Sequence, residues 1–261
     1  MAHPQVRKIC FTGSVRAGKE IGQVAADRII PLTLELGGKS PNILFADADL
    51  DDAIPASLTA FAANAGQVCT AGTRLLVDQS IHDEVAERLA QEAGKATIGA
   101  EADADFGAIT TPDQLERLHE YFEIAKSDGA KCVIGGEPQT SGDGGRYAPL
   151  TIYTGVTPDM RIAQEEVFGP VLSVMTFADE AEAVQIANGT DYGLAAGLWT
   201  QDLSRAHRVA DQLEAGYISV NHYSPSIFLP FGGFKQSGYG REKGIEALHH
   251  YCQTKSINIK I

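Results

Sequence analysis

Short apolar and β-branched runs alternate along this chain with longer stretches in which apolar residues recur every three or four positions. That pattern predicts an α/β fold built on a largely parallel sheet. The runs that predict strands are Lys8 to Phe11, Leu32 to Leu36, Asn42 to Phe45, Leu75 to Val77, Lys131 to Ile134, Val171 to Phe177, Ala195 to Trp199 and Tyr217 to Val220. Between them, Leu50, Ile54, Leu58, Phe61 and Ala65 share a helical face. Asp47, Asp49 and Asp51 lead into it, acidic residues that suit a helix N-terminus, and the helix runs toward Cys69. Asp83 to Ala93 and Leu203 to Leu213 predict two further crossover helices. The last six residues, SINIKI, alternate polar and apolar and predict a terminal strand. A lone strand needs a sheet to join, so this one points to contacts between subunits.

Composition narrows the picture without naming a function. The chain has 261 residues, 44% of them hydrophobic, enough for one large or two modest soluble domains. A formal charge of −13 argues against nucleic acid or an anionic membrane as partner, since both attract clustered Lys and Arg. No apolar run approaches the ~20 residues that span a bilayer, and the opening MAHPQVRKIC has no signal-peptide segment, so the expected location is the cytoplasm. The four cysteines (Cys10, Cys69, Cys132, Cys252) and seven histidines lack the spacing of metal ligands, and neither a metal site nor a disulfide framework is expected. The glycine-rich stretch Gly135 to Gly145 predicts an exposed loop without chemistry.

Three segments carry residue types suited to chemistry. In KICFTGSVRAGKEI an apolar strand leads through Gly13 and Ser14 to a helix opened by Gly18, an arrangement that brings backbone amides near a phosphate. In LELGGKSP, Glu35 ends a strand just before Gly37 and Gly38, at the carboxyl edge where open α/β sheets place their sites. In NAGQVCTAGTR, Cys69 lies among small residues that leave a sulfur accessible and let N–H groups approach a developing oxyanion. Taken singly, each also has a plain reading, as a tight turn, a solvated acid and a buried thiol.

Together with EEVFGPV at 165–171 and PFGGFKQSGYGRE at 230–242, these segments resemble the aldehyde dehydrogenase superfamily in order, wording and spacing over essentially the whole chain. The resemblance implies a parallel-sheet catalytic domain with Cys69 as nucleophile and Glu35 as the base that activates water. It further implies NAD or NADP as cofactor, with Gly13, Ser14 and Gly18 at the pyrophosphate and Leu36 and Gly37 between cofactor and sulfur. Glu166 would hold the nicotinamide ribose hydroxyls and Phe168 would pack beside the nicotinamide. In NHYSPSIFLPFGG, Tyr223, Ile227, Phe228 and Phe231 would wall a tunnel for a small-molecule aldehyde.

Full-length members begin well upstream of the phosphate turn. Residues 1–37 are therefore expected to be a remnant of a Rossmann-like cofactor domain, 38–237 the catalytic domain, and 238–261 a segment returning to the cofactor domain and ending in an oligomerisation strand. On this expectation the chain lacks the N-terminal part of the cofactor domain, binds dinucleotide weakly and assembles as a homo-oligomer. Two other readings stay open: a cofactor-independent cysteine esterase, and a non-catalytic assembly module.

Overall fold

The computed structural model describes residues 3–139, 144–224 and 226–261. The chain opens with β1 (Ile9–Thr12), α1 (Val15–Arg28) and β2 (Leu32–Glu35), followed by β3 (Pro41–Leu44), α2 (Leu50–Ala62), β4 (Arg74–Asp78) and α3 (His82–Lys95). Next come α4 (Pro112–Ser127), β5 (Lys131–Ile134), β6 (Thr151–Thr154), the single turn α5 (Arg161–Gln164), β7 (Val171–Phe177) and α6 (Glu180–Asn188). The two-residue β8 (Tyr192–Gly193), β9 (Ala195–Trp199), α7 (Leu203–Gln212), β10 (Tyr217–Val220), β11 (Phe234–Lys235) and β12 (Gly238–Tyr239) complete the order.

A seven-stranded sheet, ordered β10-β9-β3-β4-β7-β6-β5, forms the centre and is parallel except for β5. Its alternating side chains feed two cores. Leu44, Leu75, Val77, Leu172 and Val174 face α2 and α3, through Ile54, Phe61, Val85 and Leu89. Ile43, Leu76, Val171, Met175 and Phe177 face α4, α6 and α7, through Leu118, Phe122, Ala183 and Val209. Coverage on both faces explains why β3 is buried at every position, its one polar residue, Asn42, being hydrogen-bonded to Ser57 and Trp199. A smaller sheet, β1-β2-β12, joins the N-terminal strands to a segment about 200 residues later, with Gly238 opposite Glu35.

Of the nine predicted strands all but the terminal one form, several shifted by one residue. The strand β6 and helices α4 and α6 were not anticipated, and other expectations need correcting. The first helix starts at Val15, not Gly18: Ser14 caps it by accepting the N–H of Ala17, leaving Gly18 buried within the helix. There a Cβ would come within 2.7 Å of Leu36, so this glycine serves close helix-to-strand packing rather than a turn. The helix leading to Cys69 stops at Ala62, short of Ala65, because Asn64, Ala65 and Gly66 all take left-handed backbone angles (φ 52°, 55° and 71°). Ser256 to Ile261 form no strand; no sheet edge among the described residues pairs with them, and Ile257 and Ile259 are about three-quarters exposed. Part of the glycine-rich loop, residues 140–143, lies outside the described residues. No helix among the described residues is long and apolar enough to cross a membrane.

Candidate active site

A cavity of about 540 Å³ opens where the two sheets meet, at the carboxyl ends of β1 and β2. Gly13, Ser14, Glu35, Leu36, Gly37, Cys69, Glu166 and Phe168 line it together. These residues come from four distant segments, and the close approach of those segments depends on glycines and on a few buried hydrogen bonds.

Gly37 and Gly38 make room for the Glu166 carboxylate. Gly38 N–H donates to Glu166 Oε1 at 3.0 Å, and a Cβ at Gly37 would lie 2.2 Å from Oε2. Gly38 also abuts the carbonyl of Cys69, 2.4 Å from where its Cβ would be. Ser237, wholly buried, donates to the Gly37 carbonyl at 2.7 Å and accepts the Gly193 N–H at 3.0 Å, tying the returning segment beneath the site. Buried Arg74 donates to the carbonyls of Lys39, Ile186 and Ala187 at 2.8, 2.7 and 2.6 Å, so the end of the Cys69 loop is locked to the end of the Glu35 segment.

The ionisable groups are strongly perturbed. Glu35 is 5% exposed and neither carboxylate oxygen meets a hydrogen-bond donor among the described residues. Burial first, then the nearby charge of Glu242, lifts its pKa from 4.5 to about 7, against the opposing pull of Arg241 and Lys243. Burial likewise pushes the half-buried Cys69 thiol up, and Glu166 and Glu35 add to the shift. The backbone N–H groups of Cys69 and Thr70 work in the opposite direction, which places donors beside the sulfur where an oxyanion would form. Burial also raises the carboxyl of Glu166, opposed by the Gly38 N–H and by Lys39 and Arg117.

Helix α4 supplies two lining residues that the sequence reading missed, Gln114 and Arg117. Gln114 donates to the carbonyls of Val167 and Phe168, both at 2.9 Å, and Arg117 donates to the carbonyl of Glu166 at 2.9 Å. They hold Phe168 in a left-handed conformation (φ 57°) with its ring 37% exposed at the cavity. The sequence signal for this helix is the Thr111–Pro112 start, with Thr111 accepting the Gln114 N–H.

Other residues expected at the site are not in the lining of this cavity. Gly18 lies within α1 and lines a separate groove. Ile227 and Phe228 are 69% and 82% exposed, because their segment runs over the surface as a loop. Tyr223 tucks under the Cys69 loop, where its hydroxyl donates to the Thr70 carbonyl at 2.8 Å. Phe231 packs with Leu194, Ala195 and Tyr217 in a small cluster against Cys69.

A thiol, an unpaired buried carboxylate and a second carboxylate thus share one cavity with the start of α1. The aldehyde dehydrogenase family model matches residues 1–257, and the chain belongs to that family. It is 44% identical to a betaine aldehyde dehydrogenase of Sinorhizobium fredii, over 98% of this chain and 54% of that protein. Among solved structures, it resembles the Pseudomonas syringae indole-3-acetaldehyde dehydrogenase AldA in complex with NAD+ and IAA (TM-score 0.96, 44% identity, 99% of this chain and 53% of that one). It also resembles a betaine aldehyde dehydrogenase of Staphylococcus aureus in complex with NAD+ (TM-score 0.92, 40% identity, 95% and 50%). The chain thus spans about half the length of the relatives it matches.

Proposed function

We propose that this chain carries the reacting groups of an NAD(P)-dependent aldehyde dehydrogenase that converts an aldehyde to its carboxylic acid. The observation that supports this most directly is the meeting of Cys69, Glu35 and Glu166 in one cavity beside the N-terminus of α1. Within that reading, residues 1–37 and 238–261 form the cofactor side and 38–237 the catalytic side.

The residues suit a nicotinamide dinucleotide. Gly13 and Ser14 at the start of α1 would face its phosphates, Glu166 would accept hydrogen bonds from ribose hydroxyls, and Phe168 would cover the ring. Gly37 keeps the carboxylate's seat open, since any side chain there would fill it. Bound there, the cofactor would supply the hydride acceptor.

The chain's own groups act on either side of that transfer. Cys69 starts as a thiol and must first pass its proton to solvent in the cavity, after which Sγ forms a bond to the carbonyl carbon and the oxygen takes the electron pair, facing the N–H groups of Cys69 and Thr70. Later, Glu35 takes a proton from the water that attacks the thioester, the C–S bond breaks, and the acid leaves. A pKa of about 7 makes Glu35 a base matched to neutral pH.

The matched relatives are named for betaine aldehyde and for indole-3-acetaldehyde, which differ in charge and shape, so the likeness leaves the aldehyde open. The test is to follow NADH or NADPH formation by the purified chain with a panel of aldehydes, beside Cys69→Ala and Glu35→Gln. Aldehyde-dependent formation abolished by Cys69→Ala is expected. Ester cleavage by Cys69 without any reduced cofactor would instead establish the esterase reading.

A further inference from the structure

We infer that Lys243 directs this site toward aldehydes bearing a carboxylate at their far end. The inference rests on the aldehyde-oxidising reading and adds the class of substrate.

Phe231 and Glu242 face each other in an isolated antiparallel bridge, exchanging two N–H to carbonyl bonds of 2.7 Å. The bridge sets the position of both neighbours. Phe231 packs in the cluster against Cys69, and the ammonium of Lys243 lies 4.7 Å from the centre of its ring. Gly232, next to Phe231, approaches the other catalytic group; its Cβ would come within 2.8 Å of Glu35 Oε1. Lys243 therefore sits at the rim of the nucleophile's surroundings. Its charge is felt at Glu35, where with Arg241 it opposes the larger effects of burial and of Glu242.

Two further features set Lys243 apart from its neighbour Arg241. Arg241 is engaged, donating to the carbonyls of Gly233 and Gly240 at 3.2 and 2.7 Å and lying over the Phe234 ring. Among the described residues, no carboxylate pairs with the Lys243 ammonium, which lies over the Phe231 ring face. Its backbone is left-handed (φ 56°), followed by Gly244 at φ 59°, a costly conformation for a side-chain-bearing residue. An exposed cation over a ring of the cluster that packs with Cys69 offers a counter-charge to an anionic tail and repels a quaternary ammonium.

The charge can be tested on Cys69 directly, without turnover. Cys69 would be alkylated with iodoacetate, an anion, or with neutral iodoacetamide. Rates would be read by mass spectrometry on the Cys69 peptide, because Cys10, Cys132 and Cys252 are exposed and react as well. Taking the ratio of the two reagents cancels any change in the thiol itself. The iodoacetate-to-iodoacetamide ratio is expected to fall about two- to fivefold in Lys243→Met, the range for an exposed charge pair, further in Lys243→Glu, and to be retained in Lys243→Arg. The differences should shrink at about 1 M salt. In turnover, wild type should favour succinic semialdehyde over butanal and betaine aldehyde, and Lys243→Met should raise KM for the semialdehyde alone.

A ratio unchanged across all variants overturns the inference and leaves the dehydrogenase reading intact. A ratio that falls as expected, with no reduced cofactor formed from any aldehyde, overturns the dehydrogenase reading and leaves a cysteine site selective for anions.

Discussion

The Glu166 carboxylate rests on the amide of Gly38 at 3.0 Å, 128 residues away in sequence, and Gly37 beside it has no room for a methyl group. What a Cβ at Gly37 would strike is the end of a flexible side chain, not backbone. Gly37→Ala should therefore fold, with Glu166 swung off its seat. Dinucleotide affinity measured by calorimetry is expected to drop at least about tenfold, the loss of one charge-assisted hydrogen bond, while Cys69 remains open to alkylation. Unchanged affinity would remove Glu166 from the cofactor site.

Glu35 gives two opposite pH dependences. Its pKa is raised from 4.5 to about 7, so the folded chain holds this proton more tightly than the unfolded chain does. The stabilisation is complete below about pH 4.5 and lost as pH rises through about 7, on the order of 1–2 kcal/mol once solvent screening is allowed for. Acid release runs the other way, because the base must be ionised, and should rise with pH through about 7. Glu35→Gln should flatten the stability profile in denaturant titrations and abolish the hydrolytic step, leaving an initial burst of reduced cofactor. A pH-rate limb that persists in the variant would assign it to another group.

Much of this site was legible because its motifs are local. A strand ending in Glu35 before two glycines, and a cysteine among small residues after a helix, are patterns of a few consecutive positions. What escaped was non-local or set by loops. The two-residue strand β12 has no periodicity to read; it exists because β2 pairs with it, two hundred residues earlier in sequence. Ile227 and Phe228 looked like a lining because they are apolar, but in a loop no periodicity dictates which way a side chain points. Gln114 and Arg117 were different. Their helix has a readable start at Thr111–Pro112 and apolar positions at Leu115, Leu118 and Phe122, yet only the fold shows that its first turns meet the Glu166 loop.

Gly66 poses a harder steric problem than Gly37. A Cβ there would lie 2.2 Å from the backbone carbon and oxygen of Gly169, and its φ of 71° is unfavourable for any other residue. Neither backbone can move aside without shifting the Cys69 loop or the loop that carries Phe168. Gly66→Ala should cost about 2–4 kcal/mol, from overpacking and left-handed strain together, seen as a lower midpoint in urea. Both dinucleotide binding and Cys69 alkylation should suffer. A loss of less than about 1 kcal/mol would mean the two loops separate easily.

Tyr223 lies under the nucleophile loop, with its hydroxyl 2.8 Å from the Thr70 carbonyl and its ring where a Cβ on Gly72 or Gly197 would be 3.1 or 2.6 Å away. Those glycines make the slot that the ring fills, so Tyr223→Phe keeps the packing and removes only the hydrogen bond. The carbonyl that loses its anchor belongs to Thr70, the residue whose own N–H lies beside the sulfur. The expected stability cost is about 1 kcal/mol, too small to unfold the chain. If the hydroxyl orients Thr70, Tyr223→Phe should slow Cys69 alkylation and lower kcat for aldehyde while dinucleotide affinity holds. A drop in melting temperature with unaltered alkylation would show that Tyr223 supports the fold of the loop and leaves the chemistry of the thiol untouched.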